Sequence, residues 1–207
     1  MNPAKRAFDL FWVVPGLIAL LPVFAAIAAA IKLTSPGPVF FVQTRVGRGG
    51  RPFRMLKFRS MTADAEQRGP QLTAHGDPRI TPVGQFLRKT KLDELPQLLN
   101  VLRGEMSLVG PRPEVPRYVD LYTPQERRVL ELTPGITDPA SIAYRREEEL
   151  LAAAADPEAA YVTAIMPHKI RINLEYASRA TPLTDFLVVV ATLLGCQPGI
   201  LRPGPRT

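Results

Sequence analysis

The feature that most constrains this chain is an uncharged run from Leu10 to Ile31. As one straight helix its roughly 22 residues would reach about 33 Å, against a hydrocarbon core of about 30 Å. Length alone makes the run a membrane-spanning candidate, but two features point to another geometry. Pro22 sits near its middle, where proline removes a helix hydrogen bond and crowds the preceding turn, and Pro15-Gly16 adds a second weak point. The flanks are also both basic. Lys5 and Arg6 precede the run, and Lys32, Arg45, Arg48, Arg51, Arg54, Lys57 and Arg59 follow it. Positive residues favour the cytoplasmic side, so a helix that enters and leaves on that face satisfies both flanks, whereas a single span satisfies one. The expectation is a re-entrant membrane helix over 1–33, broken at Pro22, followed by a cytoplasmic domain over 34–207. A signal peptide, with Lys5-Arg6 as its basic start and Ala28-Ala29-Ala30 as its cleavage region, and a plain transmembrane anchor are the competing readings. Asp9 fits a helix lying in the interface, or an exposed carboxylate near a helix start.

Composition supports a folded core, with 46% hydrophobic and 22% charged residues. The formal net charge of +7 suits nucleic acid, an anionic membrane surface or phosphate-rich substrates. Aromatic residues make up only 7% and lie in apolar runs rather than among the cations, which argues against nucleic acid. The single Cys196 excludes an internal disulfide, and His75 and His168 are too isolated to suggest zinc.

Downstream the pattern predicts an α+β, helix-rich fold. Val39 to Gln43 and Phe53 to Met61 read as strands of a small β-hairpin around a Gly/Arg-rich turn. Alternation puts Lys57 and Arg59 on one strand face, either solvated or aimed at phosphates. Thr62 to Asp77, with His75, reads as a loop long enough to act as a lid. Thr81-Pro82 opens a helix. A second helix from Asp93 to Arg103, closed by Gly104, has Leu95, Leu98, Leu99 and Leu102 as its expected buried stripe. Val109 to Arg117 is extended and Thr133-Pro134-Gly135 is a turn. Further helices are expected from Thr123-Pro124, over Arg145 to Ala154 and from Asp156-Pro157, with Pro167 breaking or restarting the last. Thr181 to Leu194 is apolar but too short to span a bilayer, so it is core or an interfacial helix.

The densest chemical signal is Arg88-Lys-Thr-Lys-Leu-Asp93-Glu94-Leu-Pro96. Asp93 and Glu94 suit a plain N-cap and a dipole-complementing acid. They equally suit phosphoryl transfer, which needs carboxylates to hold Mg²⁺ or attack phosphorus and cations to hold a diphosphate. Gly110-Pro111-Arg112-Pro113 adds a guanidinium on a stiff loop, because Pro111 has a fixed φ and Pro113 drives Arg112 toward an extended backbone.

Four strings in order carry a resemblance: Lys57-Phe-Arg59-Ser-Met61, Leu92-Asp-Glu-Leu-Pro-Gln-Leu-Leu-Asn-Val-Leu102, Gly104-Glu-Met-Ser-Leu-Val-Gly-Pro-Arg-Pro113 and Pro134-Gly-Ile-Thr137. Together they resemble the bacterial sugar transferases, the monotopic phosphoglycosyl transferases, from Lys5 to about Leu194 and in the family's minimal form. The resemblance implies an enzyme on the cytoplasmic face of the bacterial inner membrane. Its donor would be a nucleotide-diphosphate sugar, usually a UDP-sugar, and its acceptor a polyprenyl phosphate, usually undecaprenyl phosphate. It implies a membrane helix broken at Pro22, Asp93 as nucleophile through a covalent phosphosugar with release of UMP, and Glu94 assisting. Mg²⁺ would be held at Asp93 and Glu94, and phosphates by Lys57, Arg59, Arg88 and Arg112. Leu21 precedes Pro22 where the family commonly has a small polar residue. Asp138-Pro139 and the Glu147 to Glu149 run replace the family's usual continuation after Pro-Gly-Ile-Thr, which leaves the nucleotide and sugar unassigned. A homo-oligomer is left open. The competing functional class is a basic, membrane-anchored binding module without catalysis.

Overall fold

The N-terminal helix α1 (Pro3–Thr34) begins where the Asn2 side chain accepts a hydrogen bond from the Ala4 N–H at 3.0 Å and Pro3 occupies the first turn. It ends at Ser35, ahead of Pro36 and a left-handed Gly37. The computed structural model describes residues 2–65 and 77–195. The expected lid with His75, and Cys196, therefore lie for the most part or wholly outside the described residues. Helix α1 continues through both Pro15 and Pro22. The expected separation into two helical arms is not seen, because a proline deletes a single ladder bond and packing on either side of it holds the helix together.

That packing runs along nearly the whole of α1. Near its start, Arg6 donates to the Val101 and Leu102 carbonyls at 2.5 and 2.8 Å, and Lys5 pairs with Asp185 at 2.5 Å. Asp9, expected at the membrane edge or exposed, is instead fully buried and accepts from Ser107 Oγ and the Leu108 N–H, both at 3.0 Å. Its burial raises its pKa above the usual carboxylate range. Val13 packs with Met55, Val101 and Met106, while Ile27 and Ile31 pack with Phe58 and Leu87. Each such buried side chain contributes about 1.5–3 kcal/mol. The opposite face, with Phe11, Trp12, Val14, Ile18 and Leu21, is exposed.

The expected hairpin is present: β1 (Phe40–Val46) pairs antiparallel with β2 (Pro52–Phe58), Val42 facing Leu56. Helix α2 (Pro82–Thr90) is capped by Thr81, whose hydroxyl accepts from the Gly84 N–H at 2.9 Å. Its Gly84 presses on the Ser60 backbone, where a Cβ would come within 1.8 Å of the carbonyl oxygen. A 3-10 turn over Leu92–Glu94 leads to α3 (Gln97–Arg103), ended by left-handed Gly104 as expected. The helix predicted to start at Asp93 thus starts at Gln97, because the chain before it closes i→i+3 bonds instead, with the Leu95, Leu98 and Leu99 N–H groups donating to the Leu92, Leu95 and Pro96 carbonyls.

The predicted leucine stripe of α3 is only partly core. Gln97, Asn100 and Val101 are the buried positions, while Leu102 is exposed and Leu99 half-buried. Asn100 is buried because it serves β2: its Oδ1 accepts from the Leu56 N–H and its Nδ2 donates to the Arg54 carbonyl, at 3.0 and 2.8 Å.

Strand β3 (Ser107–Val109) leads through the Pro-Arg-Pro loop to α4 (Pro116–Val119). The segment opened by Thr123-Pro124 forms a 3-10 helix over Glu126–Glu131. Thr133-Pro134-Gly135, expected only as a turn, leads into β4 (Gly135–Thr137), which pairs parallel with β3. Helices α5 (Pro139–Ala143), α6 (Glu147–Ala152) and α7 (Pro157–Ala160) follow. Asp138 and Asp156 cap α5 and α7. A π-helical turn over Tyr161–Ile165 runs into α8 (Met166–Ala177), so Pro167 sits in the first turn of a restarted α-helix, the second of the two expected roles. The last described helix, α9 (Pro182–Leu194), is both core and surface. Val188 and Ala191 are buried, Leu183, Leu193 and Leu194 are exposed, and Phe186 stacks on Trp12 of α1 at 5.8 Å.

Candidate active site

The site is built where β2, the 3-10 turn and the Pro-Arg-Pro loop meet. Helix α2 stops because Lys91 adopts a left-handed backbone, φ 58°, which turns the chain sharply into Leu92-Asp93-Glu94. Leu92 and Leu95 bracket the acids and pack on the Ile27, Ile31, Phe58 and Leu87 cluster. The turn is thereby fixed from below by α1.

Glu94 is held by two cations from distant segments. Lys57 Nζ on β2 donates to its Oε1 at 3.0 Å. Arg112 donates to both of its oxygens, to Oε2 at 3.2 Å and to Oε1 in a closer contact. These charges outweigh burial and hold the Glu94 carboxyl well below the usual range. Burial lowers the Lys57 ammonium, with Glu94 opposing, while Glu94 raises the Arg112 guanidinium further.

Asp93 has the opposite environment. It is 6% exposed, and its Oδ1 is buried with no hydrogen-bond partner among the described residues. Burial, with the charge of Glu94 adding, raises its pKa above the usual range, against the pull of Lys57, Arg88 and Lys91. A poorly solvated carboxylate oxygen can serve, once ionised, as a nucleophile or metal ligand, and among the described residues no hydrogen bond holds this one.

The structure therefore brings together Asp93, Glu94, Lys57 and Arg112, and Arg88 acts on Asp93 through its charge. It does not bring in Arg59. That guanidinium is 5% exposed and donates to the Pro36 carbonyl at 2.8 Å and to the Ser35 carbonyl and Oγ at 2.8 and 2.7 Å. Its observed place is a staple between the end of β2 and the exit of α1, because strand alternation ceases to govern a residue beyond the end of the ladder.

The loop bearing Arg112 is stiffened by residues that sequence reasoning did not single out. Arg45 donates to the Pro113 carbonyl at 3.0 Å and pairs with Glu114 at 3.7 Å. The Tyr161 hydroxyl donates to Glu114, and the Val46 N–H donates to the Glu114 carbonyl at 2.8 Å. The adjacency of Glu114 to Pro113 and the place of Arg45 at the end of a strand were the available signals. On the other side, Gly110 and Gly135 bring β3 and β4 into backbone contact. A Cβ on Gly135 would lie 2.1 Å from the Gly110 nitrogen. Asp138 is spent on capping α5, accepting from the Ser141 N–H at 2.9 Å and the Ser141 hydroxyl at 2.5 Å.

The model of the family described as "Bacterial sugar transferase" matches residues 1–197. The chain belongs to the bacterial sugar transferase family. Its sugar transferase relatives include a putative undecaprenyl-phosphate N-acetylgalactosaminyl 1-phosphate transferase of Bacillus subtilis, 47% identical over 57% of this chain and 66% of the relative. The UDP-glucose:undecaprenyl-phosphate glucose-1-phosphate transferase of Escherichia coli is 38% identical over 91% of this chain and 39% of its own length. The exopolysaccharide production protein ExoY of Sinorhizobium fredii is 33% identical over 92% of this chain and 84% of its own. The chain thus spans less than two thirds of the first two of these relatives.

Proposed function

We propose that this sugar transferase moves a sugar 1-phosphate from a UDP-sugar to undecaprenyl phosphate on the cytoplasmic face of the bacterial inner membrane, an early step in exopolysaccharide or glycoconjugate assembly. The observation that carries the reading is the split dyad: a buried Asp93 oxygen without a partner beside a Glu94 clamped by Lys57 and Arg112. The substrate names come from relatives such as those of B. subtilis and E. coli.

In the proposed reaction an Asp93 carboxylate oxygen attacks the sugar-bearing phosphorus. A bond forms between that oxygen and phosphorus, the bond from phosphorus to the bridging oxygen breaks, and UMP leaves with the electron pair. An oxygen of the lipid phosphate then attacks the same phosphorus and releases the Asp93 carboxylate. Lys57, Arg88 and Arg112 hold the phosphates, and Arg59 holds the chain that carries them. Glu94, ionised by its clamp, acts as a charge partner or ligand rather than as a proton donor.

The donor set suits Mg²⁺, which takes one or two carboxylates and completes its shell with substrate phosphates and water. Asp93 and Glu94 would hold it, the partnerless Asp93 Oδ1 being the observation that favours the fit. When bound, the ion would neutralise diphosphate charge.

A re-entrant placement of α1, bent at Pro22 without loss of the helix, is supported by its two ends. Arg6 and Asp9 near the start, and Ile27 and Ile31 near the end, pack on one and the same body. A straight helix of 32 residues reaches about 48 Å, and one crossing the bilayer could not return both ends to a single side. The exposed Phe11, Trp12, Ile18 and Leu21, continued by Leu183 and Phe186, would then face lipid.

The test is UMP release from a panel of UDP-sugars with and without undecaprenyl phosphate, using the wild-type chain and Asp93→Asn. UMP release that continues beyond one per chain only with acceptor, and that vanishes in the variant, is expected. Equal release by both proteins would overturn the assignment.

A further inference from the structure

Two buried polar atoms beside the 3-10 turn have no hydrogen-bond partner among the described residues, and they are of complementary kind. Oδ1 of Asp93 is an acceptor, and Nε2 of Gln97 is a donor. A buried group of either kind left unmade destabilises a fold, and native structures keep few of them. Here two stand four residues apart, so the pair points to a bond made in a state other than the resting one.

Their placement follows from the backbone. From Leu92 the chain winds without interruption through i→i+3 bonds into α3. On such a path side chains three and four positions apart are neighbours, with Cβ atoms about 5–6 Å from one another. Gln97 is therefore the next side chain along from both Asp93 and Glu94. The same spacing continues to Asn100, and this side of the chain meets β2. Lys57 donates to Glu94 at 3.0 Å, and Asn100 takes the Leu56 N–H and the Arg54 carbonyl. Asn100 shows what a buried amide does in this place when its role is structural, since both of its ends are bonded to β2. Gln97 is just as deeply enclosed, at 1% exposed, yet its nitrogen holds no described residue.

We propose that Gln97 is a positioning residue for Asp93, its amide N–H closing on Asp93 Oδ1 as the phosphosugar is passed onto and off the carboxylate. The inference rests on the transferase reading with Asp93 as nucleophile. Oδ1 is sealed from solvent, so Oδ2 is the oxygen that meets phosphorus. In the first step an Oδ2 electron pair forms the bond to phosphorus, and the bond from phosphorus to the UMP oxygen breaks. In the second, a lipid phosphate oxygen bonds to phosphorus, and the Oδ2 bond breaks with its electron pair returning to the carboxylate. In both transition states the carboxylate keeps part of its negative charge, and Oδ1 shares it. A hydrogen bond to that charge is stronger than one to a neutral carbonyl, and it also fixes the plane of the carboxylate. Made in the transition state and absent from the resting enzyme, it acts wholly on rate. Oδ1 has a second lone pair, so one N–H leaves room for a metal ion on the same carboxylate.

The test uses the full chain in lipid nanodiscs. Gln97→Met keeps the unbranched shape and removes the donor, and Gln97→Leu is a second apolar replacement. In each, kcat should fall about tenfold or more with the KM for the UDP-sugar and for undecaprenyl phosphate unchanged. Tm should stay level or rise, because a buried unbonded donor has gone. Unchanged kcat per folded chain, or a loss of rate accompanied by a lower Tm or a raised KM, would overturn the proposal. A second measurement begins from the unaltered protein. The acyl carbonyl stretch of its covalent adduct, picked out by isotopic labelling of the aspartate carboxyls, should lie where acetyl phosphate absorbs in water and move to the apolar-solvent position in Gln97→Met. An apolar-solvent position in the wild type would overturn the proposal even if neither variant folds. A wild-type chain that transfers sugar phosphate without ever forming the adduct would sink the Asp93 reading and this inference with it. An adduct that forms and discharges at wild-type rates in Gln97→Met would sink this inference alone.

Discussion

Arg112 grips Glu94 through both of its terminal nitrogens across 18 residues of sequence, while Asp93, next to Glu94 in the chain, has a buried oxygen that no described residue hydrogen-bonds. Two neighbouring carboxylates are thereby given different work. Glu94 is fixed and ionised by Lys57 and Arg112, and Asp93 is left available at a cost in stability.

That cost predicts an uncommon pairing of effects for Asp93→Asn. Burial raises the Asp93 pKa, so above that pKa the folded state carries a charge it disfavours relative to the unfolded chain. Replacing it by a neutral isostere removes the penalty. Turnover should fall by about 10³-fold or more, while the Tm measured by thermal unfolding in detergent stays level or rises. A lowered Tm would show that Asp93 has a structural partner.

Glu94→Gln should do the reverse to stability, leaving Lys57 and Arg112 without their counter-charge. A double-mutant cycle with Arg112→Gln should give a coupling of about 1.5–3 kcal/mol, the range for hydrogen bonds to charged groups. Additive effects would mean that the clamp contributes nothing to stability.

The same pair sets a pH dependence. The folded pKa of Glu94 is depressed, so its stabilisation is complete above the unfolded value of about 4.3. It is lost as pH falls from there through the folded pKa, because the unfolded chain takes up the proton first. Thermal unfolding followed from neutral pH into this acid range should show a flatter decline for Glu94→Gln than for the wild type. Parallel curves would contradict the assignment.

Arg59 and Arg112 should separate cleanly in kinetics. Arg59 binds the exit of α1, so Arg59→Ala should lower Tm and leave the UDP-sugar KM unchanged in the folded fraction. Arg112→Ala should raise that KM by about tenfold or more. A raised donor KM for Arg59→Ala would return it to the phosphate site.

The parts of this fold set by local chemistry were legible in the sequence. Thr81-Pro82, Asp156-Pro157 and Thr181-Pro182 cap helices as their residue types require, Gly104 ends α3, and the hairpin from Phe40 to Phe58 follows its β-prone strands. The family resemblance, now shown over nearly the whole chain, rested on the runs around Asp93 and Arg112. What escaped depends on distant partners. Pairing of β3 with β4 joins strands of three residues each and needs Gly110 and Gly135 in contact, which no alternation pattern reveals. The leucines of α3 look like core until α1 is laid beside them. Asp9 reads as a surface acid until Ser107 and the Leu108 amide arrive to bind it. Arg59 shares parity with Lys57, but β2 ends at Phe58 and parity ends with it.

The most direct test of the account is the intact mass of the chain after incubation with its UDP-sugar in the absence of lipid acceptor. The prediction is an added sugar phosphate that maps to the peptide bearing Asp93 and disappears when undecaprenyl phosphate is supplied. Rapid, acceptor-dependent UMP release with no such adduct at any time, and kinetics that require both substrates bound together, would contradict it and make the lipid phosphate the direct nucleophile.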